Sequence, residues 1–514
     1  MSTVTVRSES GDIKLEYEPG VTLLDVLSAE SFDIAAPCGG QGKCGKCAVT
    51  LVSPDGTRER VNACRILASD VGERVVIAPD SASGGEIQLE GSAIAGAGTL
   101  SGYAAALDIG TTTLAVRIID RASGETLASA SAWNAQAPYG ADVVSRIKHA
   151  SKPGGLEKLT ALVRNQAREL ISIACGDANV AHDEITEILC AGNTTMEHIF
   201  AGISPESIGR APYTPETYFT DGGEVRDEAF PNAKIRLVPC VSGYVGGDTA
   251  AAVYATGMSE KSGVRLLMDI GTNGELVLGG KDGLISCSVA CGPAFEGAEI
   301  SCGMRSVPGA ISAVRFAQGE FWYVVIGGGY PKGICGTGIV DALAEMLRSG
   351  VVDGTGRLLE PDELPKGLRE TVSINKKGNL SFTVAPGVKL RAADIRKLQL
   401  AKAAVRAGVE LLMKRAGVTA QDIDEVYLAG GFGTRLNIQS AAAIGLIPPE
   451  LADKTRAVGN ASLDGAHRAL CTPGGFDSLL EIRARCGYME LSGSAEFSDA
   501  FVDAMAFYDD EEED

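Results

Sequence analysis

Two sets of residues in this chain have the types and spacing for chemistry. The first is Cys38, Cys44, Cys47 and Cys64, separated by five, two and sixteen residues. Three of them stand in PCGGQGKCGKC, whose glycines let the backbone wrap tightly and turn amide N–H groups inward. Converging thiolates of this kind suit zinc or an iron–sulfur cluster. Structural zinc sites usually pair two C-x2–4-C knuckles, and this stretch has one. Three cysteines in a polar, glycine-rich loop do not read as core packing. The second set is three glycine turns. Asp108-Ile109-Gly110-Thr111-Thr112-Thr113 and Asp269-Ile270-Gly271-Thr272-Asn273-Gly274 each end an apolar run with Asp-x-Gly-Thr. Gly110 and Gly271 allow close approach, and Thr111, Thr112, Thr113, Thr272 and Asn273 offer hydroxyl, amide and backbone donors to phosphate. Asp108 and Asp269 could hold the water shell of Mg²⁺. The third turn, Leu428 to Gly433, places Gly430, Gly431 and Phe432 where a ribose and base can lie against bare backbone. No GxxxxGK[ST] loop occurs, so this is not a P-loop protein.

These residues need elements to hold them. Residues 1–80 read as a small β-rich module, with a hairpin over VTVRSESGDIKLEYEPG, a helix near Val21–Glu30, a Pro-Asp-Gly turn and a closing VVIAP strand. Residues 81–103 are rich in Ser, Gly and Ala, a linker composition. From 104 to 500, strands alternate with long amphipathic helices, an α/β pattern. The Asp-x-Gly-Thr echo, 107–116 against 268–277, implies two similar halves facing a cleft. Residues 501–514 end in six consecutive acids and read as a solvated acidic tail.

The composition excludes several classes. The chain has 514 residues, 46 Lys plus Arg, 66 Asp plus Glu, and a net charge of −20. That disfavours nucleic acid and anionic membranes as partners. No apolar run is long enough for a membrane span, and the N-terminal stretch lacks a signal-peptide core. A soluble, cytoplasmic protein is expected, in which thirteen cysteines do not form a disulfide framework.

The cysteine layout resembles that of plant-type and adrenodoxin-type ferredoxins, which implies a β-grasp domain and a 2Fe-2S cluster on Cys38, Cys44, Cys47 and Cys64. The fourth spacing is shorter than in most such ferredoxins, so Cys64, in NACRIL, must arrive on a different loop path. The three glycine turns, in this order, resemble the sugar kinase, actin and heat-shock chaperone ATPase superfamily. That implies phosphates clamped by the two repeated turns, with ATP and Mg²⁺ between duplicated halves. Val458–Ala466 is similar to the superfamily's second connecting helix. Asp248 stands where the superfamily often has a catalytic acid, and Glu275 could position the attacking water.

A ferredoxin followed by this ATPase is similar over nearly the whole chain to the reductive activators of corrinoid proteins. Matching stretches include Gly140–Ile147, Gly192–Met196, Ser242–Asp248, Cys291–Gly297 and Ile334–Gly338. The resemblance implies an α+β multidomain fold and ATP-dependent reduction of Co(II) to Co(I) in a methyltransferase system. It also implies a cobalamin-binding corrinoid protein and a low-potential electron donor as partners, and a homodimer through the ATPase domain. The alternative is activation of another low-potential reductase or dehydratase, whose activators share a 4Fe-4S cluster between subunits. A kinase with a redox tag and a nucleotide-switched scaffold lack a sequence feature of their own.

Overall fold

The computed structural model describes residues 2–8, 11–17, 19–29, 47–77, 98–223, 225–433 and 435–507. Cys38, Cys44 and most of the expected linker lie outside these residues.

The N-terminal module is a five-stranded sheet in the order Gly11–Tyr17, Ser2–Ser8, Val75–Ile77, Ala48–Val52, Arg58–Asn62. Its first two strands form the expected hairpin, from Ser2 opposite Tyr17 to Ser8 opposite Gly11. The closing strand runs parallel to the first, with Val6 opposite Val76. Alternation along Val4 and Val6 sends the apolar side chains to one face, where they meet the helix Leu23–Ala29 through Leu23, Leu24 and Leu27. Thr22 and Asp25 start that helix: the Asp25 amide donates to Thr22 Oγ1 at 3.2 Å, and the Thr22 amide to Asp25 Oδ2 at 3.1 Å. A small sheet gripping one helix is the β-grasp arrangement.

The remainder is built from two sheets of one topology. The first has the order Lys234–Leu237, Ile185–Gly192, Tyr103–Ile109, Thr113–Asp120, Glu125–Trp133. The second has the order Thr455–Gly459, Ile423–Ala429, Val264–Ile270, Gly274–Gly280, Gly283–Val289, with Cys486–Tyr488 added at the edge. In each, three antiparallel strands form a meander and two further strands join in parallel beside its first strand. The Asp-x-Gly-Thr turns are the first hairpin of each meander. The chain is thus duplicated where the sequence echo places it.

Two helices, Gly247–Thr256 and Ala461–Cys471, fill the space between the sheets. Their approach depends on small residues: a Cβ on Gly465 would stand 1.9 Å from the Ala251 carbonyl oxygen. Ala250, Ala251, Ala461 and Ala466 are all buried there, beside Ala104 and Ala106 of one sheet and Leu267 and Ala429 of the other. One ion pair crosses this layer. Arg117 Nη1 donates to Asp464 Oδ1 at 2.6 Å, with the two side chains 2% and 5% exposed. The chain does not become a tail at 501. The helix Ala495–Asp503 runs past that point and Phe507 is buried beneath Lys402. No helix among the described residues is long and apolar enough to cross a membrane.

Removing one member of a buried ion pair strands the other charge and costs about 3–5 kcal/mol. Asp464→Ala should therefore lower the urea midpoint of the ATPase-domain transition. The apolar double substitution Arg117→Met/Asp464→Leu should recover most of the loss. A double variant as unstable as Asp464→Ala would show that the charge pair is not the cause.

Candidate functional site

The sixteen residues between Cys47 and Cys64 form one hairpin. Strand Ala48–Val52 pairs with Arg58–Asn62, so Ala48 lies opposite Asn62. The turn is closed by Gly56, at φ +83°, whose amide donates to the Ser53 carbonyl at 2.9 Å. At the open end the Ala63 amide donates to the Cys47 carbonyl at 2.9 Å, and the Cys47 and Cys64 sulfurs lie 3.3 Å apart. Cys47 is buried at the mouth of the strand, and Cys64 is half-buried in the 3-10 turn Ala63–Arg65. Two soft sulfur donors converging from the two strands at the open end of a hairpin fit a sulfur-ligated centre. The unusual fourth spacing is thus the length of this hairpin. Cys38 and Cys44 lie outside the described residues.

The nucleotide-type residues meet between the two sheets. Gly110 is required by its turn, since a Cβ there would stand 2.6 Å from the Thr113 carbonyl oxygen. Asn134 Nδ2 donates to the Gly110 carbonyl at 2.8 Å, and the Asn134 amide to the Thr112 carbonyl at 2.8 Å. Thr111 Oγ1 accepts from Asn193 Nδ2 at 2.9 Å, while Asn193 Oδ1 caps the helix Thr194–Ala201. The second turn is closed by the Gly271 amide donating to the Asn273 carbonyl at 2.9 Å. In the third, Gly430 has φ +88°, and a Cβ there would come within 2.7 Å of Asp269 Oδ1. Gly431 is exposed, and the half-buried Phe432 ring stacks on Phe295 at 5.3 Å.

Asp108, Asp248, Asp269 and Glu275 are all half-buried, and their charges act on one another. Asp108 ends strand Tyr103–Ile109 and accepts from Asn460 Nδ2 at 2.8 Å and Ser462 Oγ at 2.9 Å, both from the start of helix Ala461–Cys471. Asp269 and Glu275 are cross-strand partners on the second hairpin. Asp248 occupies the first turn of helix Gly247–Thr256, and its Oδ1 accepts from the Thr249 amide at 2.7 Å. Burial, then the charges of Asp269 and Asp108, push Asp248 up to about 7. Burial, then Asp108, push Asp269 up to about 6. Glu275 is raised well above the usual carboxylate range by burial, then by Asp248 and Asp269. Together they form a cluster of hard oxygen donors. A hard, oxygen-seeking ion such as Mg²⁺ fits it, and two donor-rich turns beside it fit a phosphate chain.

The stretches Gly192–Met196 and Ser242–Asp248 support this cleft. A Cβ on Gly246 would stand 2.5 Å from the Asn193 Cα, and one on Gly247 would stand 2.3 Å from Glu197 Oε1. Three contributors escaped the reading of single motifs. Arg146 is fully buried behind the first turn, donating to the Thr111 carbonyl, to the Gly140 carbonyl at 3.0 Å and to Gln136 Oε1 at 3.1 Å. Burial lowers its guanidinium to about 9. Asn193 ties a helix cap to Thr111. Glu296 reaches both repeated turns. Arg146, Asn193 and Glu296 all stand inside stretches already singled out, but their contacts with the first turn span from 35 to 184 residues.

Residues 263–514 match the family described as the C-terminal, ASKHA domain of RACo. Residues 103–261 match the RACo middle region, and residues 6–69 a 2Fe-2S iron-sulfur cluster binding domain. The chain is 32% identical over 420 residues to the corrinoid activation enzyme RamQ of Eubacterium limosum, covering 79% of this chain and 70% of that one. It is 23% identical over 443 residues to the [Co(II) methylated amine-specific corrinoid protein] reductase of Methanosarcina barkeri, covering 79% and 77%. A solved structure, the reductive activator for corrinoid,iron-sulfur protein, aligns over 98% of both chains at 29% identity and a TM-score of 0.69.

The raised carboxylates set the sign of a pH effect. Asp248 at about 7 and Asp269 at about 6 bind protons more tightly in the folded chain than in the unfolded one, where Asp titrates near 3.8. Their contribution to stability is full below the unfolded value and is lost as pH rises through 6 to 7. The nucleotide-free protein should melt at a lower temperature at about pH 8 than at about pH 5.5, and Asp248→Asn should flatten that slope. A melting temperature that rises across this window would contradict the assignment.

Proposed function

The chain belongs to the family of corrinoid activation enzymes, and we propose a division of labour among its residues on that premise. It is an ATP-dependent reductive activator that converts the Co(II) of a corrinoid protein to Co(I), with a 2Fe-2S domain ahead of an actin-like ATPase. The cluster supplies one-electron transfer. Cys47 and Cys64, together with Cys38 and Cys44, hold it. The observation that carries this reading is the 3.3 Å approach of Cys47 and Cys64 sulfurs across a short hairpin, in the same chain as a duplicated phosphate cleft.

In the cleft, Gly110, Thr111, Thr112, Thr113, Gly271, Thr272 and Asn273 take the phosphates, and Gly430, Gly431 and Phe432 the adenosine. Asp108 and Asp269 orient the water shell of the magnesium ion. Asp248, raised to about 7 on a helix turn facing the cleft, is the acid that accepts a proton from the attacking water. Glu275, the cross-strand partner of Asp269, positions that water. A cobalt couple below the range of plant-type clusters (about −400 mV) makes electron transfer uphill, by a factor of ten for each ~59 mV. Closure of the two halves on ATP provides the movement that offsets this by favouring a complex with more easily reduced cobalt. The corrinoid partner would serve a methyltransferase, and the group held by Cys38, Cys44, Cys47 and Cys64 would take its electrons one at a time from a low-potential carrier.

The 104–500 unit pairs with a second copy of the chain. Support comes from strand Glu320–Val325, the edge of a three-stranded sheet with Ala310–Ala317 and Gly333–Ile334. Trp322 and Val324 share one face and are 58% and 60% exposed, and Tyr330 is 70% exposed. The run 321–331 carries no charge in a chain of −20, so two copies can meet there without repulsion.

Reduced full-length protein should give the rhombic spin-resonance signal of a 2Fe-2S centre, and Cys64→Ala should abolish it along with corrinoid reduction. Corrinoid reduction at full rate without ATP would refute the coupling. Asp248→Asn should lower ATP hydrolysis by about 10²–10⁴-fold while leaving the cluster spectrum intact. In light scattering, Val324→Lys should turn a dimer into a monomer. A wild-type monomer would dismiss the pairing.

A further inference from the structure

Glu296 stands in a short loop after strand Gly283–Val289, and the dipeptide Phe295-Glu296 touches all three glycine turns. Glu296 Oε1 accepts from Thr272 Oγ1 at 3.0 Å. Glu296 Oε2 accepts a longer bond from Thr112 Oγ1, at 3.5 Å. A Cβ placed on Gly271 would lie 3.6 Å from Glu296 Oε1, so the carboxylate also faces the bare backbone of the second turn. Phe295 stacks on Phe432 of the third turn. Thr112 belongs to one half of the duplicated ATPase and Thr272 to the other, so this carboxylate bridges the cleft.

The chemistry of this contact matters. Two threonine hydroxyls, one from each phosphate turn, point their protons at one shared anion. A carboxylate and a terminal phosphate oxygen are alternative acceptors for the same donors, and both cannot sit there without strong repulsion. The loop backbone is held by close packing. A Cβ on Gly303 would stand 2.0 Å from the Gly297 carbonyl oxygen, and one on Gly336 would stand 1.7 Å from the Phe295 carbonyl oxygen. The Glu296 side chain can therefore turn while its backbone stays in place. Arg305, whose guanidinium lies 3.9 Å over the Trp133 ring, is the cation acting on the carboxylate.

We propose that Glu296 is a competing anion built into the cleft: in the nucleotide-free chain its carboxylate holds the terminal-phosphate seat between Thr112 and Thr272, and an incoming triphosphate turns it out. This makes Glu296 a residue that opposes ATP entry and links the two halves until the nucleotide takes its place. The inference rests on the reading that ATP binds in this cleft.

Calorimetric titration of the full-length, cluster-loaded protein tests it, using a magnesium complex of a non-hydrolysable ATP analogue and, separately, magnesium ADP. Wild-type binding of the analogue tests the cleft itself, and its absence would overturn the nucleotide reading before Glu296 is considered. Given wild-type binding, Glu296→Gln and Glu296→Ala should each bind the analogue at least about tenfold more tightly, with a smaller gain for ADP. Unchanged or weaker binding by both variants would overturn the proposal and make Glu296 a supporting ligand instead. An equal gain for ADP would also overturn it, because the carboxylate would then compete with a phosphate that both nucleotides share. Thermal melting of each variant separates loss of binding from loss of fold.

Discussion

Mutual repulsion among four carboxylates is the constraint around which the ATPase is built. Asp108, Asp248, Asp269 and Glu275 come from two sheets and one connecting helix; all four are raised by burial, and Asp248, Asp269 and Glu275 are raised further by the neighbouring carboxylates. Left alone, like charges at partly buried positions drive their elements apart. Close-packed helices resist that force. Gly465 against Ala251, the buried Arg117–Asp464 pair and the two donors on Asp108 tie the sheets to the helices between them. The fold thus gathers carboxylates into a seat that a cation or a proton relieves. This favours a nucleotide arriving with its magnesium ion over a bare triphosphate.

The positive side of the cleft is arranged differently. Arg146 is buried behind the first turn and donates to backbone carbonyls and an amide oxygen. Its charge therefore reaches the phosphate seat without a side chain that must move. Asn193 and Asn134 act in the same manner, fixing Thr111 and Thr112 through neutral hydrogen bonds. Preorganised donors of this kind need no rearrangement when a phosphate arrives. Glu296 is the exception, since it satisfies two of the donors with an anion of the protein's own.

Much of this was legible in the sequence because it is local or repeated. Asp-x-Gly-Thr occurs twice, and the structure places each copy at the first hairpin of an identically ordered sheet. The alternation of Val4 and Val6 and the apolar spacing of the first helix foretold a small β-rich module with one helix on its apolar face. The likeness of Val458–Ala466 to a connecting helix implied a helix between the halves, and Gly465 makes the close crossing there. What could not be read is what depends on distance in the chain. Glu296 meets Thr112 across 184 residues, and Arg117 meets Asp464 across 347. No periodicity or spacing rule connects such pairs. The end of the chain was misjudged for a related reason: the acids after Tyr508 suggested a tail from 501, but Phe501 and Phe507 still pack on the body.

The two functional regions also differ in how much of their position is fixed locally. The Cys47–Cys64 approach is set within the N-terminal module, by the hairpin of Ala48–Val52 with Arg58–Asn62 and by the Ala63–Cys47 bond. The phosphate cleft is the opposite case. Its donors come from both halves, so its geometry changes with their separation. A sulfur pair built by one local hairpin, joined to a cleft shared by two halves, suits a protein in which nucleotide acts through the halves of the ATPase.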